Sequence, residues 1–492
     1  MHEVLRRPED QYSVKRKGAD WMEETVADPV AFASAALAGP NLEAGPPEPP
    51  GFDTSALESK ALHATVWTVL SYGAGQGLRL VNSLILTRLL LPSAFGELQL
   101  VTAVIVGLTM LSDLGLGQSI VQSKRGDEPV FLNTAWTIQA IRGTAIWAIA
   151  CLLAWPASRF YNDRTLMYVL PILALTSIIG SVSSSGLLSL ERHMGVRRLF
   201  ALEFSQQILA LGVTVGFAYF IRPNVWALVV GNIVANIYRT VASHHKRVVP
   251  GVRNQFCLDR KSVREIVGFG KWIFVGTAFF FFATQSDKLI LGKCISMTEL
   301  GLYGLAFQIS DVPRSIINAF SNRVGYPFVS KIIHLPLPEF RRQYLRCRLY
   351  VLLLGAFLLS AMVIWGNLVI LKLYPARYAD AAWMIPILAL GLWQTLLYTT
   401  TMPVLFSLGK SSYNATGNAA YCVAMLVGIP IGFHFFGLRG AVVAVAAGDF
   451  PLYLVTQYGA VRERIRPLAQ DLQLTGAFLG FLGIDFALRR MF

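Results

Sequence analysis

From residue 61 onward, long apolar runs alternate with short polar breaks. The runs fall near 61–90, 97–122, 134–156, 166–188, 200–221, 224–242, 267–290, 300–322, 349–371, 381–407, 414–436 and 438–460, with a shorter one near 472–488. A helix needs about 20 apolar residues to cross the hydrocarbon core of a bilayer. The first twelve runs reach that length and the thirteenth is marginal. Backbone groups in lipid must be satisfied within the segment, which selects helices. A membrane barrel would instead show alternating segments of about ten residues. The pattern therefore predicts an all-α polytopic membrane protein with 12–13 transmembrane helices.

The pattern also repeats. Shifting the sequence by 205 residues sets SLILTRLLLPSAFGELQL (83–100) against KLILGKCISMTELGLYGL (288–305) with no gap. Leu84, Ile85 and Leu86 meet Leu289, Ile290 and Leu291. Arg88 meets Lys293, Gly96 meets Gly301 and Leu100 meets Leu305. The first copy joins predicted helices 1 and 2, the second helices 7 and 8. An even number of crossings lies between them, so both face the same way. That is a parallel repeat: two six-helix lobes related by a pseudo-two-fold axis along the membrane normal, with a path between them. The expected boundaries are a first lobe at 61–255, a second at 256–465 and an extra short helix at 466–492.

Charge supplies the orientation. Placing the N-terminus inside makes every second loop the basic one, with Lys124 and Arg125, Arg192 to Arg198, Lys246 to Arg264, Arg323 to Arg348, Lys410 and Arg462 to Arg466 on the cytoplasmic side. This accounts for the net charge of +14 without nucleic acid as a partner. The first sixty residues differ: 6 Lys/Arg against 11 Asp/Glu, ending in a Gly/Pro-rich stretch, read as a disordered acidic cytoplasmic tail. Hydrophobic residues make up 54% of the chain and charged ones 15%, too apolar for a set of soluble cores. Five scattered cysteines imply neither a disulfide framework nor a zinc site, and His193, His244 and His245 sit in basic loops with no need of metal. No loop is long enough for a soluble catalytic domain, and no HExxH, GxSxG or Walker motif occurs, so neither an enzyme nor a cofactor is expected.

Four segments carry a family resemblance: LTRLLLPSAFGELQLVTAVIVGLTMLSDLGLGQSIVQ (86–122), LERHMGVRRLFALE (190–203), SDKLILGKCISMTELGLYGLAFQISDVPRSIINAFSNRVGYPFVSK (286–331) and YPARYADAAWMIPILALG (374–391). In order and spacing they resemble the Wzx-type polysaccharide-unit flippases of the multidrug/oligosaccharidyl-lipid/polysaccharide exporter superfamily. The resemblance implies a bacterial inner-membrane protein of multidrug-exporter-like fold. Its implied substrate is an undecaprenyl-pyrophosphate-linked oligosaccharide, moved to the outer leaflet by alternating access. Exopolysaccharide, capsule or O-antigen assembly by a separate polymerase and export machinery would follow. The long acidic tail departs from the usual short N-terminus of such proteins.

A pyrophosphate and a glycan crossing hydrocarbon need a polar cavity with cations, and ionisable residues inside helices usually face such a space. Gln76, Arg79 and Asn82 share one face of helix 1 and form the clearest stripe. Arg142 in helix 3, Lys271 at the start of helix 7 and Arg314 after Pro313 in helix 8 complete the candidate substrate-binding set. Snorkelling, or ion pairs such as Arg314 with Asp311, are the alternatives. Asp113 and Asp449 are candidates for ion coupling, with pairing to an arginine as their other reading. Asp287 is expected to pair with adjacent Lys288. Gly440, Ala444 and Gly448 form a small-residue row suited to close helix packing. An ion-coupled multidrug or small-molecule antiporter on the same fold is the alternative function, and would favour an acidic cavity. An intramembrane polymerase would need a large outer loop, and a lipid II-type flippase is a further reading that sequence separates poorly.

Overall fold

The computed structural model describes residues 73–491, except residues 114 and 124 and the segments 126–127, 188–189, 191–195, 246–253 and 322–324. The acidic tail and the beginning of the first apolar run lie outside the described residues.

Among the described residues the apolar runs are predominantly helical. The helices are α1 (73–89), α2 (Pro92–Leu111), α3 (Leu116–Gln122), α4 (Pro129–Tyr161), α5 (Leu166–Ser181), α6 (Val196–Phe220) and α7 (Val225–Ser243) in the first half. The second half holds α8 (Arg260–Cys294), α9 (Met297–Ser310), α10 (Val312–Phe320), α11 (Tyr326–Ile332), α12 (Leu337–Leu373), α13 (Met384–Ser407), α14 (Ser412–Ala447), α15 (Phe450–Arg462) and α16 (Leu468–Met491). A 3₁₀ turn, Ala376–Ala381, leads into α13. Among the described residues seven helical stretches are long and apolar enough to cross a membrane. One of them, Ser412–Arg462, has 51 residues, enough for two crossings. Large apolar side chains such as Leu152, Phe357 and Phe436 stay exposed along these stretches, as lipid-facing surface requires.

Several predicted spans are broken, each at an identifiable residue. The run at 97–122 becomes α2 and α3, because Gly115 turns into the left-handed region at φ 60°. The run at 300–322 becomes α9 and α10, parted at Asp311 just before Pro313, which has no N–H to offer and crowds the preceding turn. The runs at 414–436 and 438–460 are joined by a bend at Gly437, with φ 59°. The arms of that bend touch without side chains: a Cβ on Gly440 would lie 2.0 Å from the carbonyl oxygen of Gly432. Ala444 faces Gly428, and Gly448 lies against Met425 and Tyr421, so the small-residue row is a helix-packing surface.

Within the first half, α4 packs on α5, and α7 on both α5 and α6; within the second, α12 packs on α13, and α14 on α8, α13 and α15. The halves meet where α2 runs along α8 and α9. α16 docks on the second half through a buried ion pair between Asp471 and Arg348, a bond from Trp393 Nε1 to Thr475 Oγ1 (2.8 Å) and stacking of Trp393 on Phe478.

Candidate functional site

α1 carries its polar stripe into the space between the halves. Gln76 and Arg79 line a cavity of about 390 Å³, opposite Gln308, Asp311 and Ser315 of α9 and α10 and beside Lys288 of α8. Gln76 Nε2 donates to Ser315 Oγ at 3.0 Å and so bridges the halves. Arg79 is exposed and makes no ion pair among the described residues. Asn82 lies further along α1, half-buried. Its Oδ1 has no hydrogen-bond partner among the described residues, and neither has the buried Gln99 Oε1 on α2. Gln99 also lines the cavity, where its amide fills the space a side chain at Gly304 would take.

Lys288 is a cavity residue that the sequence reading missed. The expected Asp287–Lys288 pair does not form. Consecutive helical residues point in different directions, so Asp287 turns inward and accepts from Tyr303 at 2.7 Å. Lys288 turns to the cavity, donating to Gln285 at 3.0 Å over the Phe307 ring. Helical geometry applied to this adjacent pair would have separated the two.

Arg314 stands one turn beyond the cavity wall. Its Nε is 2.6 Å from Asp311 Oδ1, and its guanidinium lies 5.7 Å from the centre of the Phe307 ring. Phe307 and Asp311, together with Arg314, Tyr421 and Asp449, also line a second, small space of about 30 Å³. Asp449 is buried there and accepts from the Thr395 hydroxyl.

Arg142 does not line the main cavity. It reaches the end of α2, with Nη1 3.5 Å from Asp113 Oδ1 and Nε 3.0 Å from Ser112 Oγ. Asp113 is thereby occupied, and its Oδ1 also accepts from the Gly115 amide at the break after α2. The backbone of Lys271 belongs to α8, and its side chain lies outside the described residues. Among the described residues no group of three or more His, Cys, Asp or Glu is placed to hold a metal ion.

The stripe on α1 thus faces the second half across a space holding two cations, Arg79 and Lys288, and one carboxylate, Asp311, already tied to Arg314. An all-helical, multi-span protein with a charged cavity between its halves has an architecture suited to moving a polar molecule across a membrane. Solved structures show the same fold. An inward-facing multidrug resistance MATE family transporter aligns with a TM-score of 0.61 at 14% identity, covering 80% of this chain and 96% of its own. The lipid II flippase MurJ in an inward closed conformation aligns with a TM-score of 0.62 at 11% identity, covering 87% and 93%.

The family model described as "Polysaccharide biosynthesis protein" matches residues 85–383, and the chain belongs to that family. The lipopolysaccharide biosynthesis protein WzxC of Escherichia coli (strain K12) is 22% identical over 340 residues, 68% of this chain and 67% of WzxC. The teichuronic acid biosynthesis protein TuaB of Bacillus subtilis (strain 168) is 22% identical over 222 residues, 44% and 45% of the two chains. The chain spans roughly half to two thirds of the length of the curated relatives it matches. The chain is thus a multi-span helical protein of a polysaccharide biosynthesis family, with a fold like that of MATE transporters and MurJ.

Proposed function

We propose that the chain is an inner-membrane flippase that moves an undecaprenyl-pyrophosphate-linked oligosaccharide repeat unit from the cytoplasmic to the periplasmic leaflet by alternating access. The observation that carries this reading is the pairing of Arg79 and Lys288 on opposite halves of one cavity of about 390 Å³. Two cations with no carboxylate of their own suit a doubly charged anion, arginine by forked bonds and lysine as a point charge. Gln76, Gln99, Gln308 and Ser315 supply donors and acceptors for a glycan on the same walls. The names of the curated relatives support polysaccharide assembly as the setting.

In this reading 61–255 and 256–465 are the rocking lobes and 466–492 an added helix. The N-terminus is cytoplasmic, and a polymerase takes the delivered unit. Arg314 sits beside the cavity and joins the binding set through Asp311. Asp449, buried next to it, is better placed for ion coupling than Asp113, which Arg142 occupies. The second reading, a multidrug antiporter, draws on the MATE-like fold, but the cavity charge argues for an anion.

The test is the leaflet location of lipid-linked repeat units in cells lacking the protein. Intact units accumulating on the inner leaflet, with secreted polysaccharide gone, is the expected result. Normal arrival at the outer leaflet would sink the flippase reading and put the antiporter first.

A further inference from the structure

The C-terminal end of α1 is completed by the opposite half of the chain. The last carbonyls of a helix have no partner within it and need caps. Here Leu86 O takes the Leu90 amide at 2.8 Å, a local bond. Thr87 O and Arg88 O both accept from Arg377 Nη2, each at 2.7 Å. Leu90 O accepts from Tyr378 OH at 3.0 Å, and Ser83 Oγ from Tyr374 OH at 3.2 Å. Arg377, Tyr378 and Tyr374 all belong to the junction between α12 and α13. Tyr378 is fully buried and also meets Phe95 of α2 edge-on. A guanidinium at a helix C-terminus meets the negative end of the helix dipole, and its bonds are charge-assisted.

The other half answers in kind. The outer end of α4 reaches the end of α8: Tyr161 OH donates to Leu289 O at 3.3 Å, and Lys293 donates back to Phe160 O while lying 4.7 Å from the Phe160 ring centre. The end of α1 and the end of α8 are the two places that the 205-residue repeat brings into register. Each is clasped by a residue from the opposite half.

We propose that Arg377, flanked by Tyr374 and Tyr378, is a latch that holds the two halves together beyond the cavity, and that its release from the Thr87 and Arg88 carbonyls opens the periplasmic side. This rests on the flippase reading for its direction. Arg79 lies eight residues before Thr87, about 12 Å along the helix, so the latch holds the helix that carries the cavity's arginine. Release leaves the carbonyls at the end of α1 in need of donors. Arg88 O lies at an exposed position, where water can replace the guanidinium, whereas the part-buried Thr87 O is left without its donor. Separation of the halves at this end cannot occur while these bonds stand.

The test is thiol labelling of the full chain in right-side-out membrane vesicles with a membrane-impermeant maleimide. The five native cysteines are first replaced by alanine. Leu80→Cys reports on the cavity wall and Thr298→Cys on the exposed first turn of α9. Thr298→Cys is expected to label from outside in every background, and Leu80→Cys slowly. Adding Arg377→Ala should speed Leu80→Cys labelling about tenfold or more, since two charge-assisted bonds are lost, and Tyr378→Phe should speed it less. Labelling of Thr298→Cys only after permeabilisation would overturn the orientation and with it the flippase direction. Outside labelling of Thr298→Cys with an unchanged Leu80→Cys rate in the latch variants would overturn the latch alone. If Arg377→Ala fails to reach the membrane, Tyr378→Phe and Arg377→Lys decide on the same readout.

Discussion

Gly96 and Gly301 face each other across the meeting of the two halves, and the contact is reciprocal. A Cβ on Gly96 would lie 1.9 Å from the carbonyl oxygen of Met297; a Cβ on Gly301 would lie 1.9 Å from that of Pro92. Pro92 and Met297 are separated by the same 205 residues as the two glycines. Gln99 and Gly304, one turn further on, keep that offset and also touch. α2 and α9 therefore pack backbone to backbone about a local two-fold relation, with glycine required because any side chain would meet main chain.

Alanine at these positions separates two kinds of crowding. Gly96→Ala and Gly301→Ala push against carbonyl groups that cannot turn aside, and should lower stability by roughly 1–3 kcal/mol or more. Gly304→Ala meets only the amide end of Gln99, which can rotate away, and should cost much less. Thermal unfolding in detergent should rank Gly304→Ala close to wild type and the other two well below. Equal melting temperatures for all three would refute the contact.

The sequence sets Gly96 and Gly301 in register through the 205-residue repeat, but the glycine there reads as serving a close bend, and that the two glycines touch is visible only in the fold. The helix content was readable because lipid leaves a buried chain little choice but helix. The breaks were harder. Gly115 lies within the run at 97–122 with nothing local to say that it, and not Gly107, adopts positive φ, whereas Gly437 falls at the break expected between 414–436 and 438–460. The site was half readable. Gln76 and Arg79 follow from helical spacing on one element. Lys288 and Arg142 depend on which neighbours tertiary packing brings, and no spacing on a single helix reveals that Arg142 finds Asp113.

Removing the cavity's charge tests its purpose. Arg79→Ala should abolish polysaccharide export while membrane levels stay normal, because the exposed side chain supports no packing in the described structure. Arg79→Lys should keep part of the activity if charge is what counts. Lys288→Ala should lower export without affecting folding. Secreted polysaccharide and immunoblotted membrane protein are the two measurements. Wild-type export by Arg79→Ala and Lys288→Ala together would remove this cavity from the transport path.

The start of α8 should loosen in acid. Asp259 caps it, its carboxylate accepting from Ser262 Oγ at 2.7 Å and from the Ser262 amide at 2.9 Å. The hydroxyl first, and then the amide, hold this carboxyl below its ordinary value of 3.8. A lowered folded value means that the cap's contribution is complete above the unfolded value and fades as pH falls through the folded one. Protection of the Ser262 amide from hydrogen exchange, corrected for intrinsic rates, should therefore fall below about pH 4. Asp259→Asn should flatten this dependence. A wild-type protection factor that ignores pH through that range would show the cap to be idle.

The strongest stability effect should come from the pair that fastens α16. Arg348 and Asp471 are 3% and 1% exposed, so neither charge has water to fall back on. Arg348 also donates to Thr400 Oγ1 and to the Leu397 carbonyl, both at 3.0 Å, while Asp471 accepts from Tyr453 and Gln457. Removing one member strands the other, at a cost of about 3–5 kcal/mol, whereas replacing both with apolar groups of similar volume is often close to neutral. Arg348→Met alone should therefore unfold α16 from the bundle or lower the melting temperature sharply. Arg348→Met with Asp471→Leu should recover much of the loss, but not all, because Gln457 and Tyr453 then lose an acceptor. Protease sensitivity of the segment after Arg466 would read the docking directly. A double variant no better than the worse single one would mean that the pair matters through its hydrogen-bond network and not through its charge balance.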